Sequence, residues 1–166
     1  MYNGDVVVKP KEPTNINWNL RFMELADHIA QWSKDRSTKI GAVIVKDKNI
    51  ISTGYNGFPR GCDDSIEERH QRPLKYQWTS HAEENAIISA ARHGQPTLGA
   101  DMYVNWFPCS KCAGQIINAG IKTIYCDKEP DWSLNDDWTN DFRISVQKLN
   151  EGGVEIVYLN YQANRK

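Results

Sequence analysis

The chain has 166 residues, of which 25% are charged and 40% hydrophobic, and its formal net charge is -1. That length supports one globular domain with a real core, and the near-neutral charge argues against general nucleic-acid binding. No stretch is apolar enough to span a membrane and the polar N-terminus is no secretory signal, while four Cys, two of them in a C-x-x-C, indicate a metal site in a reducing, cytoplasmic setting.

Residues 1–15 are polar, carry Pro10 and Pro13, and read as a loose arm ahead of a single domain over 16–166. Asn17 or Asn19 is placed to cap a helix running to about Lys34, with Trp18, Phe22, Leu25, Ile29 and Trp32 recurring at three- and four-residue steps. Ile40 to Val45 and Ile50 to Thr53 flank Lys46-Asp47-Lys48-Asn49, which predicts a β-hairpin. Residues 54–78 hold three Gly and two Pro, and read as a long, functional loop with one short helix near Ile66 to His70. A helix then opens at His81 and stops at Gly94, and a short buried strand follows over Asp101 to Asn105. A second helix spans Cys109 to Ala119 and a strand Ile121 to Cys126. The last helix runs from Asp136 to Glu151, ended by Gly152-Gly153, and Val154 to Leu159 is a final strand. This order predicts a three-layer α/β/α fold with a mixed five-stranded sheet and helices on both faces.

Two clusters carry the chemistry: His81-Ala82-Glu83 and Pro108-Cys109-Ser110-Lys111-Cys112, with Cys109 28 residues on from His81. One His and two Cys make a three-ligand zinc set whose open fourth position suits catalysis rather than structure. Cys109 and Cys112 are three apart and share one face of a helical turn, and the positive end of a helix lowers the pKa of a thiol. Glu83 is not needed as a ligand. It has the position of a proton shuttle that takes a proton from water, gives it to a ring nitrogen, and then helps to protonate a leaving amine. H-x-E with P-C-x-x-C is the pattern of zinc nucleobase deaminases. A closed structural zinc site would need a fourth ligand, for which Cys62, His70 or Cys126 is available. A zinc protease is disfavoured because H-E-x-x-H is absent.

With those residues in view, the chain resembles the deoxycytidylate (dCMP) deaminases of the cytidine deaminase-like superfamily. The resemblance runs from about Phe22 to Ile124 and rests on STKIGAVIV (37–45), GYNGFPRG (54–61), RPLKY (72–76), SHAEENAI (80–87) and WFPCSKCAGQIINAGI (106–121). It implies zinc on His81, Cys109 and Cys112, with Glu83 as shuttle. It also implies deoxyribose on Asn56 and the pyrimidine edge against the Ser80-His81-Ala82 backbone. It further implies a homo-oligomer, hexameric in many members, activated by dCTP with magnesium and inhibited by dTTP, with Asn56, Gly57 and Arg60 at the effector site. After Tyr125 the chain departs from the commoner pattern with CDKEPDWSLNDDWTNDFRIS, rich in acid and Trp.

Arg60, Arg72 and Lys75 are candidates for a substrate phosphate, against the alternative of solvated loop charges. Trp106 and Phe107 are candidates to wall a flat base, against core packing at a strand end. Trp132 and Trp138 read as core or subunit contacts, and Cys62 with His70 as a weaker candidate for a second zinc. The function expected is hydrolytic deamination of dCMP to dUMP and ammonia. The alternatives are a deaminase of a 5-modified cytosine nucleotide or another nucleoside or nucleotide, and a non-catalytic nucleotide sensor, which would have no use for Glu83. Deamination within a polynucleotide is disfavoured by the lack of a basic stripe.

Overall fold

Strand β1 (Gly41–Lys46) and strand β2 (Asn49–Tyr55) form the predicted hairpin in the computed structural model, which describes residues 17–161. The arm expected over residues 1–15 lies outside the described residues. The hairpin turn is tighter than the four polar residues suggest. Lys46 pairs with Asn49, and only Asp47 and Lys48 turn, both at positive φ (51° and 62°), as two-residue hairpin loops require.

Three further strands, β3 (Asp101–Val104), β4 (Thr123–Cys126) and β5 (Glu155–Tyr158), complete one sheet in the order β2-β1-β3-β4-β5. β1 is antiparallel to β2 and β3, whereas β3, β4 and β5 run parallel. Helix α1 (Trp18–Ala30) covers one face. Its cap is Asn17, whose side chain accepts from the N–H groups of Asn19 and Leu20. The other face carries α3 (Ala82–Arg92), α4 (Ser110–Asn118) and α5 (Asp137–Glu151). Between β2 and α3 lie a 3-10 turn (Glu67–His70) and a four-residue helix, α2 (Lys75–Trp78). The expected three-layer mixed-sheet fold is the one observed.

The two cores follow the period-two alternation of strands. Val43, Val45 and Tyr103 pack with Phe22, Met23, Ala26 and Ile29 on the α1 side. Ala42, Ile44, Met102, Val104, Ile124 and Cys126 pack with Ala82, Ala86, Ala113 and Ile116 on the other.

Helix α1 ends at Ala30 instead of near Lys34, and Trp32 stands exposed beyond it. The stripe it buries is Phe22, Met23, Ala26, Ile29 and Ala30. Small residues win because the helix backbone lies directly on Gly41, where an added Cβ would fall 2.1 Å from the Ala26 carbonyl oxygen. Gly54 does the same for α3. A Cβ there would lie 2.4 Å from both the Ala82 oxygen and the Ala86 nitrogen. The α2 turn escapes sequence reading because four residues show no periodicity.

Candidate active site and metal centre

Two helix starts bring the chemical clusters together. His81 is the N-cap of α3 and Cys109 the N-cap of α4, both with extended backbone. Gly57 and Ser80 pair through two backbone hydrogen bonds (3.1 and 2.9 Å), which docks the GYNG segment against the entry to α3. The Nδ1 of His81 lies 3.4 Å from the Cys109 Sγ and 3.5 Å from the Cys112 Sγ. Tetrahedral zinc, with bonds of about 2.3 Å to sulfur and about 2.0 Å to nitrogen, needs a nitrogen–sulfur edge of about 3.5 Å. The donors therefore fit that ion. They are the one such group of His, Cys and acidic side chains found among the described residues.

Protons are already crowded at this site. The Cys112 thiol and the His81 ring point at Cys109 and hold its thiol well below the usual range. The same Cys109 contact pushes His81 up to about 9. Cys112 is driven up, first by the Cys109 thiolate and then by burial. Loading a divalent cation must therefore expel protons, so metal affinity rises with pH. Glu83, in the first turn of α3, is 3% exposed, and burial pushes its carboxyl up to about 7.

A cavity opens beside these groups. It is lined by His81, Glu83 and Cys109 at its base, by Trp106, Phe107, Tyr76 and Trp138 on its walls, and by Thr38, Asn56 and Arg72 around them. Asn56 is locked in place: its Oδ1 accepts from Ile40 N (2.9 Å) and its Nδ2 donates to Thr38 O (2.9 Å). An amide so held keeps one N–H and one lone pair in reserve. Phe107 is both wall and core, since it packs edge-on against Trp132 and Phe142 at 4% exposure. Trp106 is exposed. Ser80 lines a different groove, and the Ala82 methyl is fully buried. Gly57 and Arg60 line that second groove together with Asn85 and Arg92, whereas Asn56 belongs to the first cavity. Among the described residues Cys62 joins no metal-like group, and His70 is engaged by the Asp64 carbonyl (2.7 Å) and stacked on Phe58.

Of the three candidate phosphate cations, Arg72 alone reaches the cavity with no carboxylate partner among the described residues. Arg60 is elsewhere, and the Lys75 ammonium is 2.7 Å from an Asp35 oxygen, with both side chains largely buried (12% and 7% exposed). Burial pushes the Asp35 carboxyl up, but Lys75 and the N–H groups of Thr38 and Ser37 overcome this and leave it below its ordinary 3.8. The contribution of the pair to folding is therefore present above pH ~4 and lost as pH falls through the folded value. Lys75→Met should cost about 2–4 kcal/mol at pH 7. Its stability gap from the parent should narrow as pH falls below ~4, as read from urea melts.

Tyr76 and Trp138 line the same cavity, and neither was marked as a candidate by the sequence. They meet edge-on at 6.3 Å across the cavity mouth, one from α2 and one from the first turn of α5. No local motif marks either; only the fold unites them.

A family model, described as the cytidine and deoxycytidylate deaminase zinc-binding region, matches residues 16–128. An Aliivibrio fischeri protein named "Uncharacterized deaminase in luxG 3'region" is 41% identical over 142 residues, covering 86% of this chain and 93% of its own length. Human deoxycytidylate deaminase is 39% identical over 120 residues, covering 69% of this chain and 66% of its own. Among solved structures, the dCMP deaminase of cyanophage S-TIM5 in complex with dCMP and dUMP aligns with a TM-score of 0.67 at 27% identity, over 84% of this chain and 94% of that one.

Proposed function

The chain belongs to the cytidine and deoxycytidylate deaminase zinc-binding family, and from that membership we propose that it hydrolyses dCMP to dUMP and ammonia. The observation that carries this reading is a buried carboxyl, Glu83, beside a zinc-shaped donor set in an aromatic-walled cavity.

His81 Nδ1 and the sulfurs of Cys109 and Cys112 would hold the ion. Zinc, when bound, supplies Lewis acidity that makes water a nucleophile at neutral pH. Everything else falls to the side chains. Trp106 and Phe107 stack the pyrimidine, and Asn56 meets the deoxyribose with its spare hydrogen-bonding capacity. Arg72 meets the phosphate. Glu83 takes a proton from the attacking water and delivers it to N3, which makes C4 electrophilic. As the C4–O bond forms, Glu83 relays the second water proton to the amino group. The C4–N bond then breaks, and ammonia leaves. A carboxyl near pH 7 can give and take protons with equal ease, as this two-way relay needs.

The groove bearing Gly57, Arg60 and Arg92 suits a polyphosphate, and we assign to it the dCTP effector, with magnesium as counter-ion, and the competing dTTP. Assembly into a homo-oligomer, hexameric as the resemblance implies, goes with that regulation. A second reading, deamination of a 5-modified cytosine nucleotide, draws support from the groove of Lys128, Pro130 and Leu134 that shares Trp106, Phe107 and Trp138 with the cavity. No helix among the described residues is long and apolar enough to cross a membrane.

The test is loss of cytosine absorbance with dCMP, deoxycytidine and 5-hydroxymethyl-dCMP, each with and without dCTP and magnesium. Preferred turnover of dCMP is expected, and no turnover of any of the three by zinc-loaded protein would refute the proposal. Arg72→Ala should raise KM for dCMP by ~10- to 100-fold, the worth of a charge-assisted contact, and leave deoxycytidine kinetics unchanged.

A further inference from the structure

Helix α5 grips one residue of the C-x-x-C turn at three atoms. Asp141 Oδ2 accepts from the Ser110 backbone N–H at 2.7 Å. Asp141 Oδ1 accepts from the Ser110 hydroxyl at 2.6 Å. Two turns further along, Lys148 Nζ donates to the Ser110 carbonyl at 3.1 Å. Asp141 and Lys148 are seven residues apart and so share one face of α5. Ser110 directly follows Cys109 and begins α4, which carries Cys112.

The chemistry of this grip suits a metal turn. The first N–H groups of a helix have no partner within it, and a carboxylate there is favoured by the helix dipole. Asp141 satisfies the first of them from outside the turn, so no side chain of the turn is diverted from the metal face. The grip also ties the turn to a rigid neighbour, because Phe142, Ser145 and Leu149 bury the same helix against the core. Both gripping residues lie beyond the residues matched by the family model, 16–128.

We propose that Asp141 and Lys148 are positioning residues for the metal centre, fixing Ser110 and through it the direction in which Cys109 and Cys112 present their sulfurs. The proposal rests on the reading that His81, Cys109 and Cys112 hold zinc. Residues that orient metal ligands from outside commonly change affinity by ~10- to 100-fold when removed. A purely structural contact between α4 and α5 would instead lower thermal stability without changing zinc affinity.

The experiment uses the full chain loaded with zinc and titrated with a chromophoric zinc chelator. Asp141→Ala should weaken zinc retention by ~10- to 100-fold. Asp141→Asn, which keeps one acceptor oxygen, should recover most of the loss, and Lys148→Met and Ser110→Ala should each cost a few-fold. Cobalt substitution gives a second readout: the thiolate-to-cobalt band should shift in Asp141→Ala. Zinc affinity within twofold of the parent in Asp141→Ala would overturn the proposal. Should that variant not fold, parental affinity in both Asp141→Asn and Ser110→Ala would do the same. A parent chain that takes up no stoichiometric zinc, or a His81→Ala variant that keeps parental affinity, would overturn the underlying assignment of the ligands and the proposal with it.

Discussion

Glu83→Gln is expected to lower kcat for dCMP by on the order of 10²- to 10⁴-fold while zinc content stays stoichiometric. The amide matches the carboxyl in shape but cannot accept and return a proton. The substitution also has a thermodynamic signature. The Glu83 carboxyl of the zinc-free chain is raised by burial from 4.5 to about 7. Between those two values the folded state holds more protons than the unfolded state, so stability falls as pH rises through this window. Gln has no charge to bury. Above pH 7 the zinc-free variant should therefore be more stable than the zinc-free parent, by on the order of 3 kcal/mol, and the gap should close toward pH 4.5. Urea melts across pH 4.5 to 8, zinc analysis and steady-state kinetics check the three parts. A variant that loses zinc along with activity would make Glu83 a ligand instead of a shuttle.

Gly54→Ala should damage both stability and turnover although residue 54 does not line the cavity that holds Glu83. Its Cβ would lie 2.4 Å from the Ala82 oxygen and the Ala86 nitrogen, both backbone atoms of α3. The helix must rise or slide, at a cost of about 1–3 kcal/mol for overpacking. The first turn of α3 carries Glu83, and His81 caps it. A displacement of ~1 Å there is worth ~10²-fold in rate. Gly114→Ala, in α4, is the contrast. Nothing lies within 4 Å of its added Cβ, so it should gain about 0.5–1 kcal/mol from helix propensity alone. Melting temperatures of the two zinc-loaded variants should move in opposite directions.

These cases show what was legible in advance and why. His81, Glu83, Cys109 and Cys112 stood out because their chemistry is local: each cluster spans a few residues at the start of one helix, and spacing alone aligns them. The apolar run from Ile40 to Val45 and the Gly stop at Gly94 marked a strand and a helix end for the same reason. The walls of the cavity were harder. Trp138 was read as a core or subunit residue, yet it faces Tyr76 across the mouth. Lys75 looked like a free cation until Asp35, forty residues earlier, came to meet it. Asp141 carries no motif at all, and its meaning exists only once α5 lies along α4. Contacts between distant segments are set by packing, and a single sequence does not print them.

The division between the hairpin side, the central α3-to-α4 stretch and α5 also separates two tasks that an engineer would wish to treat apart. The candidate metal ligands and Glu83 come from one continuous stretch, residues 81–112. The rest of the cavity lining comes from that stretch at Trp106 and Phe107, from before it at Thr38, Asn56, Arg72 and Tyr76, and from after it at Trp138. Those flanking segments meet where Tyr76 and Trp138 pack edge-on at 6.3 Å, and the 81–112 stretch is the floor they share. Grafting new flanks onto the same floor should therefore retune which base or sugar is admitted while the reaction itself carries over. Arg72, Tyr76 and Trp138, all at the rim, are the positions at which such recombination would begin.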